Sequence, residues 1–277
     1  MLSHCRRFAV VAAIAAAPLV QPPAAMAASA EAVDHTAFRV CADPNNLPFS
    51  NDKGGGYENK IAELLAKDLG VPVQYTYYPD SVGFIRNTLR ARKCDIVIGE
   101  ISGSDLVQNT NPYYRSSFSL VYRKDSGITV NSFDDPALRS LQIGVIAGTP
   151  PTTIMAMKGL LANVHSYQLY VDTRFDAPPR DLVNDVAAHK IDVGILWGPI
   201  AGYYAKQQST PLTVVPLKSE GSPIPLDYRI TMGVRFNEPE WKRQINALLG
   251  KERDAINKIL LDYGVPLLDE KGEPISE

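Results

Sequence analysis

The sequence predicts an α/β protein of two lobes, because the same order of strand and helix patterns occurs in two successive half-chains. Lys-Cys-Asp at 93–95 precedes the apolar run 96–98, as expected of a strand that is buried on both faces. Lys-Ile-Asp at 190–192 precedes the apolar run 193–197 in the same way. Strands that alternate with helices predict parallel sheets with right-handed crossovers, and the repetition predicts one sheet in each lobe.

Hydrophobic periodicity predicts the remaining elements. In the first half, we expect strands over 38–42 and 73–77 and helices over 58–69 and 81–92. The second of these helices buries Phe84, Ile85, Thr88 and Leu89. In the second half, we expect a strand over 141–146, helices over 154–161 and 181–189, a strand over 230–236 and one long helix over 239–263.

The domain boundaries follow from how the two halves are joined. The segment 118–123 is a predicted strand that runs into the polar turn 124–127, which makes it a candidate hinge. The long final helix needs a partner for its apolar face, and folding back onto the first lobe supplies one. We therefore expect two crossing segments, as hinge closure around a ligand requires. The predicted boundaries are lobe 1 at 36–123 and 230–277, lobe 2 at 128–225, and hinges near 123–128 and 225–230.

An export signal is predicted at the start of the sequence. Arg6 and Arg7 precede an apolar run over 8–20, and Ala-Met-Ala at 25–27 is a small-residue cleavage site. We expect cleavage after Ala27 and an exported protein. The apolar run is shorter than the roughly 20 residues that a spanning helix needs, and no later segment comes closer, so no membrane span is expected.

Charge and cysteine content narrow the classes of function. Without residues 1–27 the chain has 26 basic and 30 acidic residues, a net charge of −4. This charge does not favour binding of nucleic acid, which is itself negatively charged. Cys41 and Cys94 remain in this part, and an oxidising compartment permits one disulfide between them. The sequence leaves two interpretations open, a disulfide or two buried thiols.

Candidate cleft residues follow from the rule that ligands lie beyond the carboxyl ends of the strands in open α/β sheets. Loops after predicted strands supply most of them, and the start of the second helix and a tyrosine pair after a proline supply the rest. The predicted ligand or partner cleft consists of Asp43, Asn45, Phe49, Arg86, Glu100, Ser102, Tyr113, Gly148, Thr149 and Trp197.

Several of these candidates have an equally simple structural role. Asp43 and Asn45, beside a proline, either present polar groups to a ligand or hold a turn through their own backbone. The Gly-Thr pair at 148–149 opens a helix, where backbone amides can bind an anion or belong to an ordinary cap. Arg86 also fits a solvated surface charge, and Tyr113 also fits core packing.

Catalytic and metal-binding signatures are missing from the sequence. The histidines show no metal-ligand spacing; they are His4, His35, His165 and His189. There is no phosphate-binding loop, no nucleophile elbow around a serine and no calcium loop. We therefore predict no catalytic residue and no metal ligand, and the sequence favours binding over catalysis.

Several strings resemble the periplasmic solute-binding proteins of the type that carries amino acids, which implies the bilobal type II periplasmic-binding-protein fold and a periplasmic location. Asn-Pro-Tyr-Tyr at 111–114 followed by Leu-Val-Tyr-Arg at 120–123 resembles that family's approach to its first hinge. Longer strings resemble one branch, the MxaJ/XoxJ proteins associated with PQQ-dependent methanol dehydrogenases. These strings lie at 40–50, 58–62, 83–89 and 197–199, and the likeness runs from about Phe38 to Asp269.

The resemblance implies a role in methanol oxidation. It implies that the protein supports a PQQ-dependent methanol dehydrogenase by binding the enzyme or a small species in its maturation. PQQ and a calcium or lanthanide ion are then expected in the partner enzyme, and no cofactor is expected here. Two alternatives stay open: the substrate-binding component of an ABC transporter for a small, non-standard solute, and a periplasmic dehydratase with Asp43 or Glu100 as its acid.

Departures from the amino-acid carriers make a free amino acid a poor candidate ligand. Those carriers hold the ligand carboxylate with an arginine after the third strand of lobe 1, where this sequence has Ser-Gly-Ser-Asp at 102–105. They hold the ammonium with an aspartate near the end of a lobe 2 strand, where Trp197 stands. Compared with the MxaJ/XoxJ proteins, the loop 147–153 is short. Trp197 is the residue for which ligand or partner contact is most expected.

Overall fold

A computed structural model of the protein describes residues 31–169, 171–173, 175–219, 221–222 and 224–275. The predicted signal peptide over 1–27 lies outside these residues. Across the ranges just given, no helix is both long enough and apolar enough to cross a membrane.

The helices and strands alternate along the chain as the sequence predicts. The first group is β1 (Phe38–Ala42), β2 (Asn45–Asn46), β3 (Ser50–Asn51), α1 (Tyr57–Leu69), β4 (Val73–Tyr77), α2 (Phe84–Asn87), β5 (Ile96–Ile101), β6 (Gln108–Asn109) and β7 (Tyr114–Arg123). After a 3₁₀ turn (Pro136–Arg139) come β8 (Ile143–Ile146), α3 (Pro150–Met157), β9 (Val164–Tyr167), α4 (Pro178–Ala187), β10 (Val193–Trp197), α5 (Gly198–Lys206) and β11 (Leu212–Pro216). The last group is β12 (Asp227–Val234), α6 (Pro239–Lys251) and α7 (Arg253–Asp262).

Lobe 1 is built on a sheet with the strand order β4-β1-β5-β12-β7. β1 runs parallel to β4 and β5, whereas β12 runs antiparallel to β5 and to the first part of β7. Apolar residues of α1, α6 and α7 pack with the sheet in one core, in which Phe38, Ile61, Leu65, Ile245 and Leu260 are fully or almost fully buried. A smaller cluster that includes Cys41, Phe84 and Leu89 forms separately in the same lobe.

Lobe 2 is built on a second sheet, in which β8 runs parallel to β9 and β10, and β7 runs antiparallel to β10 and β11. Two apolar clusters stabilise it. Ile154 and Met155 of α3 belong to one cluster, and Leu182, Val183 and Val186 of α4 belong to the other. Leu182, Val183 and Val186 lie on one face of α4, and this spacing is what predicts the helix from the sequence.

The strand β7 belongs to both sheets. Ser117 pairs with Asp227 of β12 in lobe 1, and the next residue, Phe118, pairs with Trp197 of β10 in lobe 2. All residues of this ten-residue strand except Arg115 and Arg123 are buried, as expected of a strand with neighbours on both sides. The two lobes are therefore joined by continuous β-structure.

The position of the first crossing differs from the sequence-based boundary. It lies inside β7, between Ser117 and Phe118, whereas the sequence predicts a hinge near 123–128. The polar turn that suggests a hinge only ends the strand inside lobe 2, because strand pairing continues to Arg123. The return crossing is at the start of β12, within the predicted region 225–230.

The helix predicted over 81–92 is wrong in length, since α2 covers only Phe84–Asn87. The predicted inward side chains are nevertheless buried. The Thr88 hydroxyl donates to the Phe84 carbonyl at 2.6 Å, and a hydroxyl that bonds its own backbone in this way competes with the helical pattern. Thr88 has φ −120° and ψ −84°, outside the helical region, and the chain continues in turns.

Two other helix predictions need correction. α3 begins at Pro150 rather than at residue 154. Proline fits the first turn of a helix, because backbone N–H groups there make no hydrogen bond within the helix. The single helix predicted over 239–263 is two helices, separated at Glu252, which has φ −95° and ψ 14°. Gly250, two residues earlier, weakens the helix at this point.

Close packing joins α5 of lobe 2 to the chain after α7. A Cβ atom at Gly202 would lie 1.7 Å from the carbonyl oxygen of Gly264, so only glycine permits this approach. The rings of Tyr203 and Tyr263 stack beside it, with centroids 5.9 Å apart. Lys206 donates from Nζ to the Asp262 carbonyl at 2.9 Å.

This contact gives a stability prediction. Gly202→Ala forces the two backbones apart, and we expect it to lower the free energy of unfolding by about 1–3 kcal/mol, as overpacking of a tight contact does. Urea unfolding followed by circular dichroism measures the change. Gly250→Ala is the matched control: no atom lies within 4 Å of the added Cβ, and we expect a gain of roughly 0.5–1 kcal/mol. A neutral or stabilising Gly202→Ala would contradict the packing described here.

Candidate functional site

A cavity of about 370 Å³ lies between the lobes, at the carboxyl ends of β1, β5 and β10 and beside the point where β7 crosses. This is where ligands bind in open α/β sheets. Its carboxyl side chains come from Asp43, Glu58, Asp80 and Glu100. Its aromatic side chains come from Phe49, Phe84, Tyr114, Phe118, Trp197 and Tyr228.

Asp43, directly after β1, holds two loops in place below the cavity. Its side chain is 97% buried, and Oδ1 accepts a hydrogen bond from the Asn45 backbone N–H at 2.7 Å. Oδ2 accepts one from the Asp80 N–H at 2.6 Å. The Ser50 hydroxyl donates to the Asp43 carbonyl at 2.9 Å. The Asp43 carboxylate thus closes the turn after β1 and also fixes the loop that follows β4.

Glu58, in the first turn of α1, places its carboxyl group against β5. A Cβ at Gly99 would lie 2.1 Å from Glu58 Oε1, and Gly99 has φ +96°, so two constraints require glycine there. Burial raises the pKa of Glu58 well above its usual value of 4.5. The other three carboxyl groups of the cavity raise the pKa further, because neighbouring negative charges disfavour ionisation.

The pKa values of Asp80 and Glu100 are raised as well. Loss of hydration raises the pKa of Asp80, and the Asp43 charge adds to this rise. Burial raises the pKa of Glu100, while a hydrogen bond with Ser104 lowers it. No lysine, arginine or histidine belongs to the cavity lining within the part of the chain that the structure describes. The cavity therefore concentrates acidic groups without an opposite charge.

Three rings form one wall of the cavity near the crossing. Phe118 and Trp197 are cross-strand partners, and their ring centroids lie 5.4 Å apart at 68°. Tyr228 of β12 lies 5.9 Å from Trp197 and 6.4 Å from Phe118. Edge-to-face contacts of this kind hold rings in fixed orientations. We call Phe118, Trp197 and Tyr228 the aromatic wall.

The rim of the cavity carries contacts between the lobes. The Asn45 amide Nδ2 donates to the Thr173 carbonyl of lobe 2. The Tyr204 hydroxyl of α5 donates to the Leu47 carbonyl of lobe 1 at 3.2 Å. These bonds bring the lobes together around the cavity.

The structure brings four of the ten predicted cleft residues to the cavity: Asp43, Phe49, Glu100 and Trp197. The other six lie elsewhere. Asn45 is at the rim, Arg86 and Ser102 are exposed, and Tyr113 is buried in the lobe 1 core. Gly148 has φ +76° and precedes Thr149, whose hydroxyl bonds the Ile146 carbonyl at 2.7 Å; their neighbour Pro150 lines the cavity instead. The ligand roles assigned to all ten stay predictions.

Sequence reasoning missed several residues that line the cavity. Among them are Glu58, Asp80, Phe84, Phe118 and Tyr228. Glu58 could have been found, because helix N-termini converge on the same edge of the sheet as the strand ends. Phe118 and Tyr228 depend on the crossing inside β7, and no local sequence signal marks that position.

The two cysteines are joined in a disulfide, with Cα atoms 5.5 Å apart. Cys41 of β1 lines the cavity, and Cys94 precedes β5. Of the two interpretations that the sequence leaves open, the structure has the disulfide. It links two neighbouring strands directly behind the site. No group of His, Cys, Asp and Glu side chains in the described ranges is arranged to hold a metal ion.

Comparisons with known proteins identify the family. Residues 38–264 match the family described as bacterial extracellular solute-binding proteins, family 3. The chain belongs to this family. Protein MoxJ of Methylorubrum extorquens is 32% identical to this chain, over 93% of this chain and 91% of its own length.

Two solved structures resemble this protein along most of its length. Periplasmic binding protein XoxJ from Methylobacterium extorquens AM1 is 43% identical, with a TM-score of 0.72 over 84% of this chain and 100% of its own. MxaJ from Methlophaga aminisulfidivorans MPT is 26% identical, with a TM-score of 0.72 over 83% and 100%. These similarities confirm both the predicted fold and the predicted resemblance to the MxaJ/XoxJ proteins.

The raised pKa of Glu58 gives a testable pH dependence. A carboxyl group whose pKa is higher in the folded than in the unfolded state favours folding at low pH, and this contribution is lost as the pH rises from about 4.5 through the folded pKa. We expect Glu58→Gln to remove this loss, so that the variant gains stability relative to the unmodified protein between about pH 5 and pH 8. Urea unfolding at each pH measures it.

Glu63→Gln is the control for this measurement. Glu63 lies on the same helix but is 51% exposed and ion-paired with Lys60. We expect its substitution to leave the change in the free energy of unfolding between about pH 5 and about pH 8 as it is in the unmodified protein. The same pH profile in Glu58→Gln and in the unmodified protein would show that the Glu58 carboxyl is not in the environment described.

Proposed function

We propose that the protein is a periplasmic accessory protein of methanol oxidation, which binds a PQQ-dependent methanol dehydrogenase or a small species in its maturation and catalyses no reaction itself. Its similarity to MoxJ, XoxJ and MxaJ supports the proposal. The observation that carries it is the charge of the cleft, which does not suit the usual ligand of an amino-acid carrier.

A free amino acid carries a carboxylate that needs a cationic partner or several N–H donors. In the described lining of the cavity, the charged side chains are all acidic. The position beyond β5, where amino-acid carriers place an arginine, has the exposed residue Ser102, and its N–H already donates to the Arg229 carbonyl at 2.9 Å. An amino-acid carboxylate would therefore meet like charge in this cleft.

Exposed apolar side chains near the mouth of the cavity support a protein partner. Ile101 lines the cavity and is 50% exposed, and Val82, two residues after Asp80, is 92% exposed. On the lobe 2 side, Leu169 is 42% exposed and lies close to Gly148. Large apolar side chains that remain in contact with water beside a cleft are candidates for contact with a partner.

The arrangement of the carboxyl groups does not favour the dehydratase alternative. A general acid must be free to approach its substrate. Both carboxylate oxygens of Asp43 already accept backbone N–H bonds, so this residue serves the loops. The carboxyl group of Glu100 forms a hydrogen bond with Ser104. A cavity of this size between two lobes does favour a second candidate function, the reception of a small solute for a transporter.

Binding measurements with the purified dehydrogenase test the proposed function. We expect the mature protein to bind the apo or the holo form of a PQQ-dependent methanol dehydrogenase from the same host, as measured by biolayer interferometry and native mass spectrometry. The double variant Val82→Ser, Leu169→Ser should weaken binding by about tenfold, because it removes apolar contacts at the mouth.

Met157→Ser is the matched control for that variant. Met157 is 64% exposed and lies at the opposite end of α3 from Pro150, which lines the cavity, so its substitution should leave the affinity unchanged. Absence of binding to both enzyme forms would overturn the proposed partner. Strong stabilisation by a single metabolite, without enzyme binding, would favour the transporter receptor instead.

A further inference from the structure

The two lobes contribute different chemistry to the cavity. In the described lining, its carboxyl groups all come from lobe 1, through loops after β1 and β4, the end of β5 and the start of α1. Lobe 2 contributes Pro150 and Trp197, and the rest of the aromatic wall stands at the crossing between the lobes. An occupant would therefore meet negative charge on one side and ring faces and edges on the other.

The described part of the chain gives the carboxyl groups of the cavity no cationic partner. Among the described residues, none of Glu58, Asp80 and Glu100 forms an ion pair, although other acidic residues of the chain do, such as Asp95 with Arg235. Buried acidic groups are normally paired, because an isolated charge away from water is costly. A cation that enters from outside would supply the missing charge.

The rings supply an independent reason for a cationic occupant. The faces of aromatic side chains attract cations, and an organic cation also gains from the apolar surface around its charge. Phe118, Trp197 and Tyr228 lie at mutual centroid distances of 5.4–6.4 Å, so a group of ammonium size can contact more than one of them at once. Ala42, Val97 and Ile230 extend the apolar surface.

We infer that this cavity binds a small organic cation that has an apolar or aromatic body and no carboxylate group. The ammonium group lies against Glu58 and Glu100 of lobe 1, and the apolar body contacts Trp197 and Phe118. A volume of about 370 Å³ accommodates a molecule with a single ring. The inference does not depend on the identity of a protein partner, because it rests on the cavity alone.

The electrostatics of Glu58 add a signature of such binding. The acidic groups that face it are Asp43, Asp80 and Glu100. The hydroxyls of four tyrosines also interact with it: Tyr57, Tyr75, Tyr113 and Tyr114. Burial and the neighbouring carboxylates raise its pKa, and a bound cation opposes that effect. Cation binding should therefore release protons and tighten as the pH rises.

The test is isothermal titration calorimetry of the mature protein with 2-phenylethylammonium as the probe. Two matched molecules serve as comparisons: 2-phenylethanol lacks the charge, and phenylalanine adds a carboxylate. We expect the ammonium to bind about tenfold more tightly than either one, since each lacks a favourable charge or carries an unfavourable one. Its affinity should be higher at about pH 8 than at about pH 5, and titrations in buffers of different ionisation enthalpy should show proton release.

Variants assign the binding to this cavity. Glu58→Gln should lower the affinity for 2-phenylethylammonium by about tenfold and reduce the proton release. Trp197→Leu should lower the affinity by a similar factor. Glu63→Gln and Phe236→Leu change an exposed charge and an exposed ring outside the cavity, so they should leave the affinity unchanged. Circular dichroism and thermal unfolding check the fold of each variant, and Glu100→Gln replaces Glu58→Gln if that variant does not fold.

Three results would overturn the inference. The first is equal affinity for 2-phenylethylammonium and 2-phenylethanol, which would make the site merely apolar. The second is preference for phenylalanine, which would show that a carboxylate is accepted. The third is failure of every cation in a panel of methyl-, butyl-, tetramethyl- and 2-phenylethylammonium to bind at millimolar concentration.

Discussion

The pairing of β7 with strands of both lobes is the constraint on which the rest of the structure depends. A change of partner between Ser117 and Phe118 places the two sheets side by side without a loop between them. The same change brings Phe118, Trp197 and Tyr228 into contact, because these residues stand where strands of the two sheets meet. The shape of the cavity and its aromatic wall are thus both consequences of hydrogen bonding along one strand.

The site combines two properties that seldom occur together. Its walls are mostly apolar, which favours loss of water from any occupant, yet four carboxyl groups reach the same space from lobe 1. In an amino-acid carrier, a cationic side chain would balance part of this charge, and here the balance is absent from the described lining. A family relationship therefore fixes the architecture without fixing the ligand, since binding specificity lies in side chains that the fold merely positions.

Local patterns in the sequence were sufficient for most of the fold and for part of the site. Apolar runs and helical periodicity identify β5, β10, α1 and α4, because burial on one or both faces leaves a direct mark on composition. The short α2 and the break at Glu252 were missed, since hydroxyl competition and a single glycine are weak signals beside a strong apolar pattern. The sequence does not predict Tyr228 as a cavity residue, because its position depends on long-range pairing between strands, which periodicity does not reveal.

Asp43 has a consequence for how this cleft can change during evolution. One carboxylate holds both the turn after β1 and the loop at Asp80, so replacing it would disturb two parts of the cavity floor together. Glu58 and Glu100 hold no such pair of loops, and each can be exchanged with smaller effects on its surroundings. A change of ligand preference is therefore easier to reach at these two positions and on the aromatic wall than at Asp43.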